Sequence, residues 1–315
     1  MRKGTKKLRL DFSALSKYHK TYKTLSEKPM ILFIGEILAD VVMDPAGRMQ
    51  AYLGGAPFNA AVAAGRAGKA TRFVGRIGDD PIGKFLSREV KKYPVDAILQ
   101  TDPVRPTTIA FVSLDENGER DFKFLRHDSA DVFTELSDDL FLGVGMVHLG
   151  SLMLSSEYGR SLAQSVVKRC ESLRIPLSFD VNFRADIFPD RDTARAVYLP
   201  FVQAADVVKF SEEETEILFG KNYQEAFLRE INNPIAVVTL GKAGCAVKRG
   251  KDVLTVPTVP VRPVDTTGAG DAFFGTFLAG LDGENLSSLP LTRLQEIAAR
   301  ANAAGAAATA RKGAL

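Results

Sequence analysis

The chain has 315 residues, 45% hydrophobic and 25% charged, enough to bury one large α/β core or two modest ones in a soluble globule. No apolar run approaches the roughly 20 residues that span a bilayer, and the N-terminus lacks the apolar centre of a secretory signal; the expectation is a cytoplasmic protein with no membrane partner. Two cysteines and three scattered histidines assemble neither a disulfide framework nor a zinc site. The net charge of +3 is uneven: residues 1–28 hold nine Lys or Arg against two acids. The remainder is mildly acidic, and no nucleic-acid partner is inferred from the tail.

In chain order, Ile31–Gly35 is a short apolar run with a glycine stop, the pattern of a buried parallel strand. Similar runs recur at Thr71–Val74, Gly145–Leu149, Leu177–Asp180, Val207–Phe210 and Ile235–Leu240. Helical stretches lie between and beside them at Pro57–Ala67, Pro81–Lys92, Glu157–Leu173, Thr193–Phe201 and Glu212–Phe219. The alternation predicts an α/β fold with a parallel sheet covered on both faces and ligands at the carboxyl ends of its strands. One region breaks the rhythm: Thr108–Leu114 and Arg120–Arg126 flank the turn residues 115–119, a β-hairpin signal. With Val41–Leu53 it forms either a small sheet over the site or an edge hairpin of the main sheet. Ala-rich Thr292–Arg311 is the last helix.

Within Gly78–Phe85 the glycine and lysine spacing mimics a P-loop, but Phe85 stands where a hydroxyl must meet magnesium, and Asp79 and Asp80 would oppose phosphate. Asp80 is read instead as a helix cap. Near the first strand, Glu36 and Asp40 can accept hydrogen bonds from sugar hydroxyls, Asn59 can donate and accept, and Gly54-Gly55 lets a ring come close. On the hairpin and after it, Phe111, Arg126 and Asp131 are candidates to close over a bound ligand. Asp180, Asn182 and Arg184 follow a strand at its carboxyl end; Arg184 holds sugar or phosphoryl oxygens, or makes a loop salt bridge.

The most informative segment is Val264–Gly275. Gly268, Ala269 and Gly270 open a helix whose first amides have no internal partner, a site for an anion bound by backbone alone. Asp271 then stands where a base accepts the proton of a hydroxyl attacking phosphorus. A glycine turn with an ordinary N-terminal acid is the alternative for the tetrapeptide alone.

This segment, with Gly54–Ala61 upstream, resembles the two signatures of the ribokinase-like (PfkB) carbohydrate kinases, in the family's order and spacing. The resemblance runs from Met30 to the C-terminus, and Gly35-Glu36 with Pro57 is most similar to the fructokinase branch. It implies a doubly wound, mostly parallel central sheet with helices on both faces and a small β-sheet lid. Residues 1–29 then form a basic, flexible extension and 30–315 the kinase domain, with the lid near 37–54 and 104–127. It implies transfer of the γ-phosphoryl of MgATP to a primary sugar hydroxyl, fructose foremost. The alternatives are another acceptor (2-keto-3-deoxygluconate, tagatose phosphate, ribose or a nucleoside) or a non-catalytic regulatory member.

Carried over by position, the resemblance assigns Asp40, Gly55 and Asn59 to the sugar, together with Glu36. Thr239, Gly241, Gly244, Lys209 and Asn302 go to the nucleotide, and Glu214 to magnesium through water. Asp265 and Thr267, with backbone near Thr309, Lys312 and Gly313, go to potassium. Ser211 departs from the family's Asn in the N-x-x-E motif. A homodimer through the lid is a further expectation.

Overall fold

The computed structural model describes residues 29–44, 46–114, 120–184, 187–188, 190–311 and 313–315; for 112–114 and 120–122 the description covers the backbone alone. Residues 1–28 of the basic extension, the hairpin turn 115–119 and Lys312 lie outside the described residues.

Apolar strands make the centre. Met30–Ile34 (β1) is buried along nearly its whole length, as a strand covered on both faces must be. Leu38–Met43 (β2) and Met49–Gly54 (β3) follow, then helix Ala56–Arg66 (α1), strand Thr71–Gly78 (β4) and helix Pro81–Glu89 (α2). Asp80 caps α2, its Oδ1 accepting the Gly83 amide at 2.7 Å. The P-loop-like spacing is therefore a strand end and a capped helix start. Strands Asp96–Asp102 (β5), Ile109–Leu114 (β6), Arg120–Leu125 (β7) and Val144–Leu149 (β8) come next, then helix Glu157–Leu173 (α3). Strand Leu177–Asp180 (β9), helix Arg191–Ala204 (α4), strand Val207–Ser211 (β10) and helices Glu212–Phe219 (α5) and Tyr223–Arg229 (α6) complete the middle. The chain ends with strands Ile235–Thr239 (β11), Cys245–Arg249 (β12) and Asp252–Val256 (β13) and helices Ala269–Leu281 (α7) and Leu291–Ala308 (α8).

The main sheet runs β13-β12-β11-β10-β9-β8-β1-β4-β5. From β11 to β5 every pairing is parallel, and β12 and β13 add an antiparallel ribbon. One apolar cluster on the sheet includes residues of α1, α2, α7 and α8; the other includes residues of α3, α4, α5 and α6. The chain leaves β1 toward β4 on one side and returns beyond it as β8, so the topological switch lies between β1 and β8, where such sheets bind ligands.

α7 lies tightly on α1. A Cβ on Gly275 would stand 2.1 Å from the Ala60 carbonyl oxygen, so only glycine permits this approach. The two helices are thereby fixed side by side, with their N-terminal turns at the same end of the sheet.

The second sheet runs β3-β2-β6-β7, with β2 and β6 parallel and the outer pairs antiparallel. It is a separate sheet, not an edge hairpin of the main one, and it springs from β1 through Gly35–Ile37. No helix among the described residues is long and apolar enough to cross a membrane.

Candidate active site

α7 begins at Gly268, whose φ of 74° is left-handed and whose Cβ, if present, would strike Ala314. No side chain caps this end; the Ala269 amide donates to the Thr266 carbonyl at 3.3 Å, which leaves the amides of Gly268, Gly270 and Asp271 for an anion. Asp271 sits in that turn, and Asn59 of α1 donates Nδ2 to its Oδ2 at 2.8 Å. Asp271 keeps part of its surface open while protein crowds the rest. Burial raises its pKa to about 6; the Asn59 hydrogen bond and the positive charges of Lys209 and Arg184 oppose the rise, and Asp180 adds to it.

Asp180 and Lys209 form a buried ion pair across β9 and β10, with Nζ 2.8 and 2.9 Å from the two carboxylate oxygens. Lys209 also lies under the phosphate-type turn: its Nζ is 3.6 Å from where a Gly270 Cβ would be. Asp180, expected at the sugar, is instead committed to Lys209. Glu214, expected near a metal, closes a capping box with Ser211; its Oε2 accepts the Ser211 amide at 2.7 Å and its Oε1 the Phe183 amide at 2.8 Å. Burial raises its pKa, opposed by Lys209. Glu214 therefore ties α5 to the loop carrying Asn182, whose φ is 38°, and Arg184. Arg184 is exposed, donates to the Phe183 carbonyl, and makes no salt bridge with a described residue.

At the switch point, Gly35 follows β1 and Gly150 follows β8. Glu36 is 4% exposed and its Oε2 has no hydrogen-bond partner among the described residues. Burial raises its pKa to about 8, opposed by hydrogen bonding to its own backbone and by Arg126 and reinforced by Asp131 and Asp271. Asp40 of β2 stands against Gly54, where a Cβ would meet its Oδ2 at 2.2 Å, and Gly55 takes a φ of 113° before α1.

Register corrects one assignment. Asp40 pairs with Ala110 and Ala110 with Phe124, whereas Phe111 pairs with Val41. Successive strand residues point to opposite faces, so Phe111 packs on the main core while Phe124 gathers with Leu38, Ala110, Leu152 and Ile187 on the Asp40 face. The strand alternation Phe122–Phe124 was the available signal, and it needed the register to be read. Arg126 is likewise committed: Nε and Nη2 meet Asp131 at 2.9 and 2.8 Å and Nη1 donates to Ser155 Oγ at 2.5 Å. Thr108 and Ser129 hold the other Asp131 oxygen at 2.6 Å. A cavity of about 500 Å³ opens beside Phe124, Arg126, Ser155 and Ile187.

A second cavity, about 640 Å³, ends at Ala269 and Gly270. Thr239, Gly241, Gly244 and Asn302, named above for the nucleotide, line it together with Thr258–Val261, Pro263 and Ala306. The segment 258–263 carried no motif; its apolar run before the signature was the only sign. Asn302 donates Nδ2 to the carbonyls of Val256 and Pro257 at 2.8 and 3.2 Å, so its amide braces this wall. Asp265 accepts the Thr267 and Gly313 amides at 2.8 and 2.9 Å, and the Thr309 carbonyl already accepts from Val264 and Asp265. That carbonyl fits a cation poorly, because both its lone pairs are used.

A model of the pfkB family of carbohydrate kinases matches residues 28–315, and the chain belongs to that family. It is 35% identical over 291 residues to a fructokinase of Klebsiella pneumoniae, covering 90% of this chain and 94% of that one. The crystal structure of a fructokinase double mutant from Vibrio cholerae O395, with fructose, ADP and potassium bound, superposes with a TM-score of 0.81 at 33% identity; 91% of this chain and 94% of that one are covered. An ATP-bound fructokinase from Xylella fastidiosa gives a TM-score of 0.85 at 28% identity, with the same coverage of 91% and 94%.

Proposed function

We propose that this protein is an ATP-dependent fructokinase, transferring the γ-phosphoryl of ATP to the primary hydroxyl of D-fructose to give fructose 6-phosphate. The observation that carries the reading is the meeting of Asp271, an acid held by Asn59, with the uncapped start of α7 at the end of the 640 Å³ cavity. The nucleotide lies in that cavity, its base among Val259, Val261 and Ala306, its phosphates on the amides of Gly268, Gly270 and Asp271. The sugar lies on the other side of Asp271, between Asn59, Asp40 and the Gly54-Gly55 turn, under the Phe124 face of the small sheet.

In the reaction the sugar oxygen forms a bond to phosphorus as the bond to the ADP oxygen breaks, and ADP leaves with that electron pair. Asn59 holds Oδ2 of Asp271, so Oδ1 faces the hydroxyl and takes its proton. The amides of the first turn and the Lys209 ammonium beneath Gly270 stabilise charge on the transferring group, a contribution typically near 3 kcal/mol per oriented donor. Arg184, on the loop held by Glu214, faces the same charge. Closure of the small sheet excludes water that would otherwise compete with the sugar.

Magnesium accompanies ATP and neutralises phosphate charge when bound. Each Glu214 oxygen accepts one amide and keeps a lone pair for a metal-bound water, which suits a largely hydrated ion. Potassium belongs to the same reading near Asp265 and Thr267. A cytoplasmic location fits a chain that consumes ATP. A homodimer through the small sheet is supported by the exposure of Met43, Met49 and Leu125, 36%, 62% and 53%, at strand ends on the margin of its Phe111 face.

ADP release measured across fructose, ribose, 2-keto-3-deoxygluconate, tagatose phosphate and a nucleoside tests the reading. Fructose is expected to give the highest kcat/KM; stronger turnover with another acceptor replaces it, and ATP binding without turnover on any would leave a regulatory member.

A further inference from the structure

The polar side chains on the wall of the 640 Å³ cavity turn back into the protein. Thr258 donates Oγ1 to the Asn302 carbonyl at 3.2 Å, Thr309 to the Ala306 carbonyl at 2.8 Å and Thr239 to the Phe210 carbonyl at 3.3 Å. Asn302 is 5% exposed and spends both Nδ2 hydrogens on the carbonyls of Val256 and Pro257. What the wall shows to the cavity is apolar: Val259 and Val261 are 48% and 44% exposed on it, and Pro260 and Pro263 have no amide hydrogen to give.

We propose that this cavity holds the base by apolar contact and takes purine nucleotides as a class, so that guanine and hypoxanthine nucleotides serve as phosphoryl donors beside adenine ones. This deepens the fructokinase reading and rests on its placement of the nucleotide. Adenine and guanine offer the same ring faces to Val259 and Val261. They differ along one polar edge, where the adenine amino group donates and the guanine carbonyl accepts. A site that reads this edge must commit a side chain to it, and the wrong base then leaves that group unpaired, a cost of more than about tenfold in affinity.

Two polar side chains of the lining remain. Thr266 lies beside the phosphate turn, its carbonyl accepting the Ala269 amide. Lys242 is exposed and can only donate, and N7 accepts in adenine and guanine alike. Neither selects one purine over the other.

The experiment is calorimetry of the full-length protein, with magnesium and without sugar, against ADP, GDP, IDP and UDP, followed by initial rates with fructose and the four triphosphates. The three purine Kd values are expected to agree within about tenfold, with UDP weaker because one ring covers less of the wall. ADP favoured over GDP or IDP by more than about tenfold overturns the proposal, and so does UDP bound as tightly as ADP. Asn302→Ala separates a brace from a reader: the melting temperature should fall while the ratio of the ADP and GDP Kd values stays put. Affinity lost for ADP alone would show that Asn302 reads the amino group, and overturns the proposal. If Asn302→Ala does not fold, the series on the unmodified protein decides. Purine diphosphates bound alike, with no triphosphate turned over on fructose, would sink the fructokinase reading and leave the base-binding proposal standing.

Discussion

Asn59 and Asp271 are 212 positions apart in sequence, yet a single 2.8 Å hydrogen bond joins them. It joins the two signature segments, and it exists because Gly275 lets α7 lie directly on the backbone of α1 at Ala60. Replacing Asn59 with Ala removes the interaction that most opposes the rise in the Asp271 pKa. We expect kcat/KM for fructose to drop about tenfold or more at pH 7 and its acidic limb to move to higher pH; an unmoved limb would separate the two residues functionally.

The pH dependence has a definite sign. A base must be ionised, and Asp271 ionises near pH 6 instead of the ordinary 3.8. In the unmodified protein kcat/KM should fall below pH 6, by about tenfold per unit once well beneath it. Activity level down to pH 4.5, measured as initial rates in constant ionic strength, contradicts this.

Stability should move the opposite way. The unfolded chain releases the Asp271 proton near 3.8 and the folded chain near 6, so ionisation of this group is harder in the fold. The resulting penalty is absent below 3.8, grows between the two values and is complete above 6, on the order of 1–3 kcal/mol. Asp271→Asn should therefore melt at higher temperature than the unmodified protein at pH 7.5 and near the same temperature at pH 4. Equal melting temperatures at pH 7.5 would mean that the site stores no such strain.

The face assignment of the small sheet predicts a split between two phenylalanines. Phe124→Ala should raise KM for fructose several-fold with little change in melting temperature, since Phe124 faces the Asp40 side. Phe111→Ala should lower stability by about 2 kcal/mol and leave KM near normal. Urea unfolding beside kinetics reads both, and reversed effects would invert the sheet.

Ser211→Ala should cost about 1 kcal/mol through loss of the α5 cap and loosen the grip of Glu214 on the 182–184 loop. The expected readout is reduced kcat with KM for fructose nearly kept, checked by the same two measurements.

Much of this architecture was legible in the residues. Apolar runs such as Ile31–Ile34 and Ile235–Val238 declared parallel strands, and Asp80 and Gly268 marked helix starts by local chemistry. What escaped was set by tertiary pairing. β5 is a half-buried edge strand, and β12 and β13 are a ribbon without the parallel pattern. At the site, residue type alone could not tell a ligand from a brace. Asp180, Arg126, Glu214 and Asn302 all have binding chemistry, and each is engaged by a neighbour that only the fold supplies. The opposite case is Glu36, named in sequence for a sugar hydroxyl and left by the fold with an Oε2 that has no partner among the described residues.

The central claim is that Asp271 accepts the sugar proton beside phosphates held by the first turn of α7. Its most direct test is the turnover of Asp271→Asn with fructose and MgATP, with ATP and fructose binding followed separately by calorimetry. The account predicts a fall in kcat of at least roughly a hundredfold with both ligands bound nearly as before; turnover close to that of the unmodified protein would contradict it.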